Sequence, residues 1–161
     1  MSVDVQYQQY LLLGGALSQY RSMYEKCVEV FKKHIFFRPM LPNGTDILLS
    51  GNAVKDGASG KIKLDAQTQH LACFTGGMVD LAAKIFDRPQ DSATAQKLVD
   101  GCIWGYENTR TGIMPESFNV LPCEDADNCE WDEPRWLETK KKGVDLPVGI
   151  TGYGDRRYLL R

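Results

Sequence analysis

Two residues in this sequence combine suitable chemistry with the setting of a ligand site. They are His70, in Gln69-His70-Leu71, and Glu116, closing Thr111-Gly112-Ile113-Met114-Pro115-Glu116. An imidazole changes protonation near neutral pH, so it can carry a proton or hydrogen-bond a polar ligand. His70 reads either as a hydrogen-bonded structural histidine or as a binding or acid/base group. In the second reading Gly76-Gly77 lets a backbone without Cβ atoms approach the ligand. Glu116 sits behind a proline just after a helical stretch, which suits a carboxylate lining a cleft and equally an exposed loop acid. Asp4 has, by pattern alone, the look of one surface acid among many. No GxGxxG or P-loop spacing occurs, which removes phosphate cradling from consideration.

Five cysteines are present, Cys27, Cys73, Cys102, Cys123 and Cys129, without a Cys-x2-Cys or His-x3-His pair. Zinc-ligand spacing therefore fails, and disulfides fit better. Cys73 and Cys102 lie on successive apolar-striped segments, and joining them stabilises by roughly 3–4 kcal/mol on the chain-entropy estimate. Cys123 and Cys129 can staple a polar loop, which leaves Cys27 as a small apolar group on a helix stripe. Asn43-Gly44-Thr45 is a glycosylation acceptor tripeptide in a loop. Met1–Tyr10 has neither a basic nor an apolar leader region, and no stretch reaches about 18 apolar residues. Luminal features without a targeting signal are what an internal piece of a secretory protein would show. The net charge is −2, and Lys140-Lys141-Lys142 runs into Gly143 as a solvated loop, so nucleic acid is not an expected partner.

The elements that must position these residues are mainly helical. Tyr20, Tyr24, Cys27, Phe31 and Ile35 recur at steps of three and four, predicting a helix over 18–37, N-capped by Ser18 and stopped at Arg38-Pro39. An earlier helix ends over Tyr7–Leu13, closed by Gly14-Gly15. Asp46–Ser50 and Lys61–Leu64 are expected to pair as a hairpin across a Gly-rich loop. A third helix is predicted over 77–86. A fourth, over 92–108, has Ala95, Leu98, Val99, Cys102, Ile103 and Tyr106 on one face. From Thr109 to Gly154 the chain reads mostly as loop punctuated by Pro115, Pro122, Pro134 and Pro147; Tyr158–Arg161 begins a new apolar segment. A loop of that length is abnormal in a small compact domain and suits a larger scaffold.

Gln69-His70-Leu71-Ala72-Cys73-Phe74-Thr75-Gly76-Gly77-Met78 resembles the His-Leu-x-Cys-Phe segment of family 47 glycoside hydrolases, the class I α-1,2-mannosidases. The family's second cysteine, in a helix, is matched by Gly101-Cys102-Ile103-Trp104-Gly105-Tyr106-Glu107. Its Thr-Gly-hydrophobic-x-Pro-Glu segment is matched by Thr111–Glu116. Leu11–Gly15, Phe36–Met40 and Cys123–Trp131 look like the fungal branch. Tyr158-Leu159-Leu160-Arg161 is similar to the start of the family's Leu-Arg-Pro-Glu segment. Val3-Asp4 resembles the segment carrying a catalytic aspartate, although here Val5-Gln6-Tyr7 follows and that segment's glutamate has no counterpart.

The resemblance implies an all-α fold with small β-hairpins, part of an (α/α)7 toroid. Residues 1–161 would form the central part of one catalytic domain, incomplete at both ends. It further implies calcium-dependent, inverting removal of terminal α-1,2-linked mannose from mannose-rich N-linked oligosaccharides or glycoproteins. Asp4 would be a catalytic carboxylate, and His70, Glu116 and Arg161 would line the sugar site. The calcium would bind through a threonine outside this sequence, so no metal ligand is expected within it. The parent protein is expected to be a monomer in the secretory pathway, either anchored or secreted, and this chain alone is expected to be inactive. The alternatives are a non-catalytic glycan-binding relative of glycoprotein quality control and a stand-alone helical interaction domain. Cys73 favours the enzyme over the non-catalytic branch.

Overall fold

The computed structural model describes residues 4–109, 111–141 and 159–160. Helix α1 (Asp4–Leu12) is followed by α2 (Ser18–His34), and the turn between them uses Gly14 and Gly15 at φ 59° and 76°. That left-handed backbone is the one glycine adopts freely, so the pair closes α1 as expected. Ser18 is the first helical residue and not the cap. The cap position falls on Leu17, with no side-chain hydrogen bond.

Helix α2 also stops three residues short of the predicted end. Phe36–Phe37 forms strand β1, paired antiparallel with β2 (Leu49–Ser50). Both phenylalanines are buried, on different core clusters, which an extended dipeptide achieves by pointing alternate side chains to opposite faces. The expected pairing of Asp46–Ser50 with Lys61–Leu64 is therefore corrected. The hairpin is β3 (Asn52–Lys55) with β4 (Ile62–Asp65), and it starts after Gly51. A Cβ at Gly51 would lie 2.5 Å from the Asp65 carbonyl oxygen, so only glycine lets the chain turn so close to β4.

Strand β5 (Gln67–Gln69) leads through a 3-10 turn, His70–Cys73, into α3 (Phe74–Phe86). Asp87, in the left-handed region at φ 54°, closes α3, and Pro89 opens α4 (Pro89–Glu107). Proline suits a helix's first position because its missing N–H is not needed there. Helices α3 and α4 pack so closely that a Cβ at Gly76 would meet Val99 at 2.7 Å. Gly76 therefore serves helix packing, not ligand approach.

The buried face of α4 is Asp91, Ala95, Leu98, Gly101, Trp104 and Gly105; Ile103 and Tyr106, expected on it, are exposed. Small residues set this face. Gly101 abuts the Leu48 carbonyl and Gly105 the Met114 sulfur. The long predicted loop holds strand β6 (Ser117–Val120) and helix α5 (Glu133–Lys141). Pro134, read as loop punctuation, sits in the first turn of α5, where Asp132 caps by accepting from the Arg135 amide at 2.9 Å. Strand β7 (Leu159–Leu160) pairs with β6, giving the sheet order β5-β6-β7.

One core cluster joins α1, α2, α3 and α4 through Tyr7, Tyr24, Val28, Val79, Phe86 and Leu98. A second, under the sheets, gathers Phe37, Leu49, Trp104, Met114 and Phe118, and a third packs Met40, Leu121 and Trp136 against the 123–129 loop. A polar clamp ties α2 to α4. Asp91, 0% exposed, accepts from Arg88 Nε at 2.5 Å and pairs with Lys32 from α2, while Arg88 also reaches Glu29 at 2.5 Å. No helix among the described residues is long and apolar enough to cross a membrane.

Candidate active site

The β5–β6 register brings the two sequence-picked residues together. Gln69 pairs with Ser117, and one step further the His70 amide donates to the Glu116 carbonyl oxygen at 2.8 Å. Strand β7 runs antiparallel to β6 on its other side, with Leu160 opposite Asn119. The C-terminal ends of β5 and β7 and the N-terminal end of β6 therefore share one end of the sheet, and His70 and Glu116 stand at that end. Both are exposed. Arg161 lies outside the described residues. Asp4 opens α1, an element separate from this sheet, and its side chain is not among those described.

His70 is held from two directions. Cys73, one 3-10 turn later, is joined to Cys102 of α4 with their Cα atoms 5.6 Å apart. The imidazole Nε2 is hydrogen-bonded to the Tyr106 hydroxyl, with the rings edge-to-face at a centroid distance of 5.8 Å and 76° between planes. Sequence reasoning missed Tyr106 as a site residue because it counted this tyrosine in the apolar stripe of α4. The available signal was its spacing, four residues after Cys102, as His70 stands three before Cys73. Leu71 and Phe74, 81% and 61% exposed, flank the site with apolar surface.

The second expected disulfide, Cys123–Cys129, is also present, with Cα atoms 5.5 Å apart, and Cys27 is free. Cys27 is half-buried and not fully enclosed; Gln6 Nε2 approaches its sulfur at 4.0 Å. Asn43 is exposed in a turn where its Oδ1 accepts from the Thr45 amide at 3.3 Å. A groove of about 700 Å³ lies along the disulfide loop and the start of α5, lined by Glu124, Asp125, Trp131, Asp132 and Arg135 among others. It shares no residue with the His70 cluster. Among the described residues no group of three or more His, Cys, Asp or Glu is placed to hold a metal ion.

The glycosyl hydrolase family 47 model matches residues 6–161, and the chain belongs to that family. Over 58 residues, 36% of this chain and 12% of the relative, it is 48% identical to a Neosartorya fischeri protein named probable mannosyl-oligosaccharide alpha-1,2-mannosidase 1B. Over 105 residues, 65% of this chain and 19% of the relative, it is 36% identical to mannosyl-oligosaccharide alpha-1,2-mannosidase 1B of Aspergillus oryzae. The matched stretches thus span a fifth or less of these relatives. The alpha-1,2-mannosidase from Trichoderma reesei superposes with a TM-score of 0.66, at 18% identity, over 98% of this chain and 28% of that one. That likeness shows the fold: these helices and small sheets are part of an (α/α)7 toroid, as expected.

Proposed function

We propose that this chain forms part of the mannose-binding face of an inverting mannosyl-oligosaccharide α-1,2-mannosidase. Its substrate class is terminal α-1,2-linked mannose on N-linked oligosaccharides. The observation that carries the reading is the convergence of His70 and Glu116 at one end of the β5-β6-β7 sheet, within a family 47 chain. Inversion needs two carboxyl groups about 6.5–9.5 Å apart: one protonates the leaving oxygen, and the other activates water on the opposite face of the sugar. Asp4 is assigned one of these catalytic roles by its family segment. Ionised, Glu116 is acceptor-only and suits sugar hydroxyl donors; His70 supplies a polar edge beside it, and Arg161 a forked donor.

Residues 1–161 are read as the central part of a single catalytic domain, acting as a monomer in the secretory pathway. Two disulfides and the exposed Asn43 tripeptide support an oxidising compartment. Calcium is assigned to parts of the catalytic domain other than the described residues. The chain alone is expected to bind the glycan without turning it over. The test is chromatography on immobilised mannose-rich oligosaccharide beside an immobilised glucan. Retardation on the first alone, relieved by free α-1,2-mannobiose, supports the reading, whereas equal elution from both overturns it. Mannose release by the chain with calcium, abolished in Asp4→Asn, would overturn the expected inactivity.

A further inference from the structure

We infer that Tyr106 is the positioning residue for His70, fixing the imidazole in the tautomer that turns an Nδ1–H donor toward the ligand. The inference rests on the mannose-site reading for its ligand, but not for its geometry. The two connections between the 3-10 turn and α4 match in phase. From His70 to Cys73 is three residues, one 3-10 turn; from Cys102 to Tyr106 is four, about one α-turn. The disulfide thus pins the turn to the helix at one level, and the next level brings the imidazole and the phenol together.

A phenol hydroxyl can donate or accept, while a neutral imidazole has one donor and one acceptor nitrogen. Of the two groups the phenol O–H is the stronger donor and the imidazole nitrogen the stronger acceptor, so in the proposed arrangement Tyr106 donates to His70 Nε2 and the ring proton sits on Nδ1. Among the described residues Nδ1 has no hydrogen-bond partner, and both rings reach solvent, Tyr106 at 36% exposure. A fixed Nδ1–H is a donor for a sugar hydroxyl oxygen, complementary to the acceptor Glu116 alongside. A free histidine in this place would spend part of its time in the other tautomer and in other rotamers, so the tyrosine's contribution is preorganisation.

The experiment is a long-range proton–nitrogen correlation spectrum of the uniformly 15N-labelled chain at pH 8. The sequence has two histidines, His34 and His70, and His70→Gln assigns the signals. Nδ1–H is expected for His70 in the native chain. Tyr106→Phe should return the ring toward the Nε2–H form preferred by free imidazole, with Cys73–Cys102 still oxidised. Nε2–H in the native chain, or an unchanged Nδ1–H form in Tyr106→Phe, overturns the inference; if the variant does not fold, the native spectrum alone decides. Added α-1,2-mannobiose should shift the His70 signals and bind roughly 3–10-fold more weakly to Tyr106→Phe. An Nδ1–H ring indifferent to the sugar would sink the mannose-site reading and leave the tyrosine pairing standing. A sugar response from an Nε2–H ring would do the reverse.

Discussion

Replacing Asp91 with asparagine removes the charge at the centre of the clamp between α2 and α4 while keeping the shape of the side chain. The carboxylate is fully buried, whereas Lys32 and Arg88 keep 24% and 16% of their side-chain exposure. Removing one partner of a buried ion pair costs about 3–5 kcal/mol, and cations that can still reach water recover part of it, leaving roughly 2–4 kcal/mol. With a urea dependence of about 2 kcal/mol per M, the unfolding midpoint should fall by ~1–2 M at pH 7. Burial pushes the Asp91 carboxyl up, but hydrogen bonds and charge from Arg88 and Lys32 outweigh it and hold the group below the usual carboxylate range. A depressed folded pKa contributes stability that is fully present above the unfolded value of about 3.9 and is lost as pH falls through the folded value. Native and Asp91→Asn chains should therefore converge in strong acid. Urea titrations followed by circular dichroism at pH 7 and pH 2 measure both effects. A midpoint within about 0.3 M of the native one at pH 7, or a gap unchanged at pH 2, would refute the clamp.

Gly101→Ala should destabilise by roughly 1–3 kcal/mol despite alanine's better helix propensity of about 1 kcal/mol, because its Cβ would stand 2.0 Å from the Leu48 carbonyl oxygen. The control is Gly77→Ala, which meets open space and should stabilise; thermal unfolding compares the two. Asp56 should titrate at about 2, held down by Lys63, the Ala58 amide and the Ser59 hydroxyl. The β3–β4 turn therefore keeps this support above about 3.9 and loses it as pH falls toward 2, readable from the carboxyl carbon shift. Denatured protein made under oxidising conditions should show one reactive thiol, Cys27, and three or more would contradict the two bridges.

The helices were legible where apolar steps of three and four ended at punctuation. Arg88-Pro89 separates α3 from α4, and Gly14-Gly15 closes α1. The contact face of α4 was not, because Gly101 and Gly105 make it by lacking side chains, which no apolar stripe records. The strands misled for a related reason. Gly51 lets the chain leave β2 and begin a different hairpin within one residue, so the long-range partner of Leu49–Ser50 became Phe36–Phe37. Pro134 shows that one residue type can punctuate a loop or open a helix, and only the Asp132 cap before it distinguishes the two. Of the site, His70 and Glu116 carried their own motifs. Tyr106 did not, since its role appears only once the disulfide sets α4 beside the 3-10 turn.

The central claim is that the end of the sheet bearing His70 and Glu116 binds mannose. Residue-resolved NMR of the 15N-labelled chain titrated with α-1,2-mannobiose tests it most directly. Weak saturable binding, on the order of 1 mM, should shift the amides of 68–71 and 116–118, and Glu116→Gln should weaken it at least tenfold with the disulfides intact. Shifts confined to the groove at 123–135, or no saturable shift at all, would contradict the account.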